Sequence, residues 1–138
     1  KANLENSIVQ INSSFSKKKG TTRGLHYQMG SSAENKIIRC IQGSMVNVVV
    51  DLRTKSKTHL KHVKIKLSKK NGYMSVIPKG CANGMQTLEN NTEIIYFVSN
   101  FYNPKTEKGI SFYDPKLKIK LPLRINKITK KDLSWSFL

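Results

Sequence analysis

Lys36-Ile37-Ile38-Arg39-Cys40-Ile41-Gln42-Gly43-Ser44-Met45-Val46-Asn47-Val48-Val49-Val50-Asp51-Leu52 carries the clearest fold-level signal of the chain. Lys36 to Ile41 is a short, β-branched apolar run, Gln42-Gly43-Ser44 has the composition of a hairpin turn, and Met45 to Leu52 is apolar almost without a break. Two antiparallel strands joined by a tight turn are predicted. The second lacks the alternation of a strand with one wet face, so it is expected to be buried on both faces over much of its length.

On the N-terminal side, Asn6 to Ser16 alternates loosely and predicts a strand with Gln10 and Asn12 on one face, leading into the charged turn Lys17-Lys18-Lys19-Gly20. On the C-terminal side, Thr58 to Leu67, Tyr73 to Ile77, Cys81 to Leu88 and Thr92 to Ser99 follow as strands. They are separated by Lys69 to Gly72, Pro78-Lys79-Gly80 and Glu89-Asn90-Asn91. Short strands at regular spacing with turn signals between them predict an all-β sandwich or barrel. After Tyr102-Asn103-Pro104 the chain loosens, and Thr129-x-x-Asp132, within Ile128 to Leu133, signals a capped helical turn. With no linker and no repeat, residues 1–138 are expected to form a single domain.

The chain has 25 Lys+Arg against 8 Asp+Glu, a formal +17, which by itself would suggest a nucleic-acid partner. The distribution argues otherwise. In His62-Val63-Lys64-Ile65-Lys66-Leu67 and Lys116-Leu117-Lys118-Ile119-Lys120-Leu121 the lysines alternate with apolar residues, as on the solvent face of half-buried strands, and no aromatics interleave with a basic groove. No apolar run is long enough to span a membrane and no secretory signal is visible, so neither nucleic acid nor membrane is an expected partner and a cytoplasmic location is expected. Cys40 and Cys81 sit in apolar contexts and are expected to be free, buried thiols. Of the histidines His26, His59 and His62, the last two lie three apart on a predicted strand and so point to opposite faces. No metal site is expected.

Arg23-Gly24-Leu25-His26-Tyr27-Gln28 places a guanidinium, a permissive glycine and an imidazole within four residues. An imidazole can take a proton near neutral pH without a metal, and a planar guanidinium suits phosphate oxygens, so proton chemistry on a phosphorylated ligand is one reading. The other is a surface ion pair beside an ordinary strand histidine.

The chain resembles the dTDP-4-dehydrorhamnose 3,5-epimerases, nucleotide-sugar enzymes on a cupin-like jelly roll of antiparallel strands. The resemblance is carried in order by Gln10-Ile11-Asn12, Arg23 to Gln28, Lys36 to Arg39 ahead of Gly43, and Val50-Asp51-Leu52-Arg53. It continues through Ile77-Pro78-Lys79-Gly80, Tyr102-Asn103-Pro104, Asp114-Pro115 and Lys131-Asp132. It implies a cofactor-independent isomerase of surface carbohydrate (rhamnose-type) biosynthesis acting on a 4-keto-6-deoxy sugar nucleotide, dTDP-linked in the family. The C4 carbonyl acidifies the hydrogens at C3 and C5, so a base can remove one and leave an enolate that is reprotonated from the other face. By the resemblance His26 is the base, Asp132 orients it, Lys36 stabilises the enolate and Tyr96 is the acid on the opposite face. Arg23 matches a diphosphate anchor, with Gln10, Asn12, Gln28, Asn83 and Tyr102 as further substrate contacts. A homodimer is implied as well.

Two departures qualify the match. Where the family carries Ala-His-Gly, this chain reads Ala82-Asn83-Gly84, and an amide hydrogen-bonds but cannot exchange protons. That leaves open a 3- or 5-only epimerase on a different sugar, beside a non-catalytic sugar-nucleotide-binding cupin module. The family's N-terminal segment before the Gln-x-Asn strand is also missing, so the chain is read either as a fragment of a longer protein or as a shortened relative.

Overall fold

A computed structural model describes residues 7–138. Among the described residues nine strands form: β1 (Gln10–Ser16), β2 (Thr22–Gln28), β3 (Lys36–Gln42), β4 (Ser44–Asp51), β5 (His62–Ser68), β6 (Met74–Ile77), β7 (Cys81–Thr87), β8 (Thr92–Val98) and β9 (Glu107–Gly109). One helical turn, α1 (Lys130–Leu133), lies near the end. The strands pair antiparallel in two sheets, ordered β1-β8-β3-β6 and β5-β4-β7-β2-β9. The expected all-β class holds, as two packed sheets of jelly-roll type rather than a closed barrel.

β4 explains the stacking. All eight of its residues are buried, in keeping with its nearly continuous apolar run. Its inner face, with Met45 and Val49, packs with Leu67, Met85 and Cys81 against Ile38, Cys40, Ile77 and Ile94 of the other sheet. Val48 and Val50 point the other way and pack with Leu25, Ala82, Ile110, Phe112 and Leu117. Antiparallel sheets usually leave one face wet, and here the irregular chain after β9 covers it. A polar tie also crosses between the sheets: Asn83 Nδ2 donates to Asn47 Oδ1, and Asn47 Nδ2 donates to Ser75 Oγ at 2.8 Å.

Beyond shifts of one residue, the strands differ from expectation in four places. Strand β1 begins at Gln10, and Asn6, where the expected strand starts, lies outside the described residues. The strand expected from Thr58 begins only at His62. Asp51 gathers the intervening loop, accepting from Arg53 Nε and Nη2 at 2.8 Å and from Ser56 Oγ and Thr58 Oγ1 at 2.6 Å. Lys116 to Leu121 forms no strand. Leu117 is buried and Ile119 and Leu121 are half-buried, so the alternation is real, but Lys118 has φ 49°, which breaks an extended run. Strand β9 was not anticipated.

Asp51 is 7 % exposed, and hydrogen bonding to Arg53 outweighs the opposing effect of burial, with Ser56 and Thr58 adding to it, to hold its carboxyl far below the usual carboxylate range. Asp51→Asn is expected to lower stability by about 2–4 kcal/mol in urea melts at neutral pH, through lost charge-assisted hydrogen bonds. Ser56→Ala should cost less than half of that. Equal effects of the two would show that the loop is not organised by the charge.

Candidate active site

Strand β2 places the first candidate pair through an irregularity. Arg23 lies opposite Met85 and His26 opposite Asn83, so three residues of β2 span two of β7. Residues three apart on a regular strand face opposite ways, but this bulge turns Arg23 and His26 to the same inner face. Gly24 permits it. Its φ is +104°, and a Cβ there would stand 2.6 Å from Asn83 O and 2.7 Å from Gly84 Cα.

His26 lines a cavity of about 330 Å³ between the sheets. The five-stranded sheet side contributes His26, Tyr27, Gln28 and Glu107, and the facing sheet contributes Gln10, Asn12, Lys36, Tyr96 and Val98. Register explains the facing set: Asn12 pairs with Tyr96, and Gln10 and Lys36 both pair with Val98, so all of them share the inner face. Glu34 and Tyr102 complete the wall.

Asp132 reaches His26 from 106 residues away. Its segment is led there by Thr22 N donating to Lys127 O at 2.7 Å and Asn126 N to Gly20 O at 3.0 Å. The expected cap then forms, with Thr129 Oγ1 accepting from Asp132 N at 3.0 Å. The Asp132 side chain is 2 % exposed and its Oδ1 lies 2.5 Å from His26 Nε2. Burial raises the Asp132 carboxyl pKa, but the hydrogen bond and charge of His26, with help from Thr129 and the Gly24 N–H, bring it below the ordinary carboxylate value. An ionised carboxylate only accepts, so Nε2 donates to it and the neutral imidazole keeps its lone pair on Nδ1.

On the facing wall, burial pushes the Tyr96 phenol above its ordinary pKa, the Glu34 charge adds to this, and the Arg23 charge opposes it. The phenol therefore keeps its proton at neutral pH. Lys36 Nζ stands 5.7 Å from the Tyr96 ring centroid and 2.9 Å from Glu34 Oε1. Gln10 Nε2 donates to Asn12 Oδ1 at 2.7 Å, in keeping with the shared face. Gln28 is buried and accepts from Thr106 Oγ1 at 2.7 Å. Tyr102 is half-exposed, and its hydroxyl donates to Glu107 Oε2 at 2.7 Å while Lys131 pairs with the same oxygen.

Two expected contacts stand outside this lining. Arg23 lines a neighbouring cleft with Lys17, Lys18 and Lys127, and its buried Nε has no hydrogen-bond partner among the described residues. Asn83 commits its amide nitrogen to Asn47 and to Val48 O. Glu34, Glu107 and Trp135, by contrast, were not singled out from the sequence. The scarcity of acids was the available signal, because a chain with 8 carboxylates among 25 cations offers each one many partners. Cys40 and Cys81 are free and buried, and among the described residues no three His, Cys, Asp or Glu side chains converge as metal ligands would.

The family model described as dTDP-4-dehydrorhamnose 3,5-epimerase matches residues 1–138. The chain belongs to the dTDP-4-dehydrorhamnose 3,5-epimerase family. The Sinorhizobium fredii dTDP-4-dehydrorhamnose 3,5-epimerase is 39% identical over 115 residues, covering 83% of this chain and 59% of the relative. The chain thus spans about three fifths of that relative's length. The crystal structure of the Bacillus anthracis dTDP-4-dehydrorhamnose 3,5-epimerase with TDP and PPi bound matches with a TM-score of 0.93 at 36% identity, covering 96% of this chain and 75% of that one. The Legionella pneumophila dTDP-6-deoxy-D-glucose-3,5-epimerase, solved in complex with dTDP-4-keto-L-rhamnose, matches at 0.91 and 33%, covering 97% and 71%.

The lowered Asp132 pKa fixes the sign of a pH effect. A depressed carboxylate contributes stability above its unfolded pKa and loses that contribution as pH falls through its folded value. Asp132→Asn is therefore expected to cost about 1–3 kcal/mol near neutrality, with the difference from the native chain shrinking as the pH drops below about 4. Urea melts across a pH series read this directly. A difference independent of pH would mean that the carboxylate charge is not what holds the turn.

Proposed function

We propose that the chain epimerises a nucleotide-linked 4-keto-6-deoxy sugar at C3 and/or C5 by deprotonation and reprotonation through an enolate, in surface carbohydrate biosynthesis in the cytoplasm. The observation that carries the reading is the His26–Asp132 hydrogen bond on one wall of a cavity whose facing wall holds Tyr96 and Lys36. His26 Nδ1 takes the proton from the carbon next to the carbonyl, and Asp132 stabilises the imidazolium that forms. Lys36 lies where a fixed positive charge can meet the developing enolate oxygen. Its pair with Glu34 keeps it in place between turnovers. Tyr96, protonated at neutral pH, delivers a proton to the opposite face of the ring. No redox cofactor enters, since the electrons stay within the enolate.

The substrate is proposed to be dTDP-linked, with Gln10, Asn12 and Gln28 as its contacts in the cavity and Tyr102 at the half-exposed edge. Arg23 is proposed as the diphosphate anchor, a role that suits a guanidinium whose buried Nε has no partner among the described residues. A homodimer is proposed on the outer face of the four-stranded sheet. There Ile11, Phe97, Ile37 and Val76 form one row across four strands, with Ile11 64% and Val76 38% exposed. Sedimentation should give twice the chain mass, and Ile11→Asp should shift it toward the monomer. An unchanged dimer in that variant would move the interface elsewhere.

A second reading narrows the first. The Asn83 amide nitrogen is bonded into the inter-sheet tie and Asn83 is absent from the cavity lining, which favours epimerisation at a single carbon. Comparable deuterium at C3 and C5 would remove that narrower reading.

Incubation with 4-keto-6-deoxy sugar nucleotides in heavy water, read by NMR at C3 and C5, tests the main proposal. The native chain should incorporate deuterium, and His26→Asn should slow incorporation by about 10²- to 10⁴-fold with the fold intact. Wild-type exchange in His26→Asn would end the assignment of the base. A native chain that binds the nucleotide sugar without exchange would make this a binding module.

A further inference from the structure

Trp135 follows the turn that carries Asp132, and the environment of its ring is unusual. The indole meets the His26 imidazole edge-on, with centroids 6.2 Å apart and planes at 72°. Lys131 Nζ lies 5.9 Å from the centroid on its own ring contact. The third neighbour is Gly109, which pairs directly with His26 across β2 and β9. A Cβ on Gly109 would fall 2.3 Å from the indole Cδ2 and Cε2. The ring therefore fills the space that a side chain opposite His26 would occupy, and only glycine leaves it room. Its Nε1 is buried without a hydrogen-bond partner among the described residues. Shape and ring faces place this residue, not its polar atom. It is absent from the cavity lining that includes His26.

From this geometry we infer that Trp135 is a positioning residue, seated on Gly109 so that it fixes the His26 ring with Nε2 on Asp132 and keeps water off that bond. The inference rests on the reading of His26 as the base. Asp132 arrives on a helical turn of four residues, Lys130–Leu133, too short to be rigid by itself. His26 is 30% exposed, so one side of the pair is open to the cavity and its other contacts must exclude solvent. An apolar ring beside a hydrogen bond to a carboxylate lowers the local dielectric and strengthens the bond. Lys131 on α1 and Glu107 on β9 pair with each other beside the rings, and Glu107, which also feels the His26 charge, makes no hydrogen bond to the imidazole among the described residues.

The test uses Trp135→Phe, Trp135→Ala and Gly109→Ala, with two readouts. The first is the solvent exchange of the His26 Nε2–H proton by NMR, which needs no substrate. In the native chain it should be slow. Trp135→Ala should speed it by at least about 10-fold, Gly109→Ala should do the same by pushing the indole away, and Trp135→Phe should restore most of the protection. The second is deuterium incorporation into the sugar: Trp135→Ala should lower kcat by about 10-fold with KM within about 2-fold, as expected for misplacement of a base, and Phe should rescue it. Native exchange and native kcat in Trp135→Ala would overturn the inference, as would equal loss in Phe and Ala. If Trp135→Ala fails to fold, Gly109→Ala carries the same test. Absence of sugar chemistry in the native chain would end the proposed function, while the imidazole readout would still judge the role of Trp135.

Discussion

A central antiparallel strand that is apolar on both faces needs two covers, and most of this architecture answers that need. β4 obtains the first from the four-stranded sheet, and the space left where the sheets part becomes the cavity. It obtains the second from the chain after β9, where Ile110, Phe112 and Leu117 bury against Val48 and Val50. That second cover also sets the path of the C-terminal segment, which runs past Gly20 and Thr22 and arrives at His26. The carboxylate that orients the imidazole is thus delivered by a packing requirement on the far side of the sheet.

Electrostatics add a second constraint. A chain with a formal charge of +17 repels itself, and its few acids are placed where they hold structure together. Glu5 lies outside the described residues, and each of the other seven carboxylates has a partner. Asp51 gathers its loop, Glu34 holds Lys36, Glu107 joins Tyr102 and Lys131, and Asp132 meets His26. Glu89 and Glu93 accept from Ser44 and Ser13, and Asp114 accepts from the backbone of Lys116 and Leu138. Three of these seven stand in or beside the cavity.

How far the sequence could be read depended on the range of the interactions. Patterns made by neighbours were legible: the β3–β4 hairpin, the Thr129 cap and the shared face of Gln10 and Asn12 all follow from local spacing. Lys116 to Leu121 misled because alternation reports which side chains are buried, not whether the backbone has a strand to pair with. Thr58 misled because a side-chain carboxylate seven residues earlier captured the loop. The Arg23–His26 bulge depends on contact between Gly24 and β7, and Glu107–Lys131 and Trp135–Gly109 join segments far apart in the chain. None of these leaves a periodicity. His26 and Asp132 were paired only through resemblance to a family, since nothing in their local sequence ties them.

The docking of α1 also bears on how the His26–Asp132 pair is kept. No strand of either sheet comes from residues 126–138, so the imidazole sits on a sheet while its carboxylate partner sits on a segment that only docks against it. Forming the pair therefore depends on long-range docking, and release of α1 can undo it without unpairing any ladder of the two sheets. Under mild stress a segment outside both sheets, tied to them by hydrogen bonds, by the Asp132 and Lys131 pairs and by the Trp135 contact, opens before the sheets do, so the imidazole should lose its partner while the two sheets remain intact.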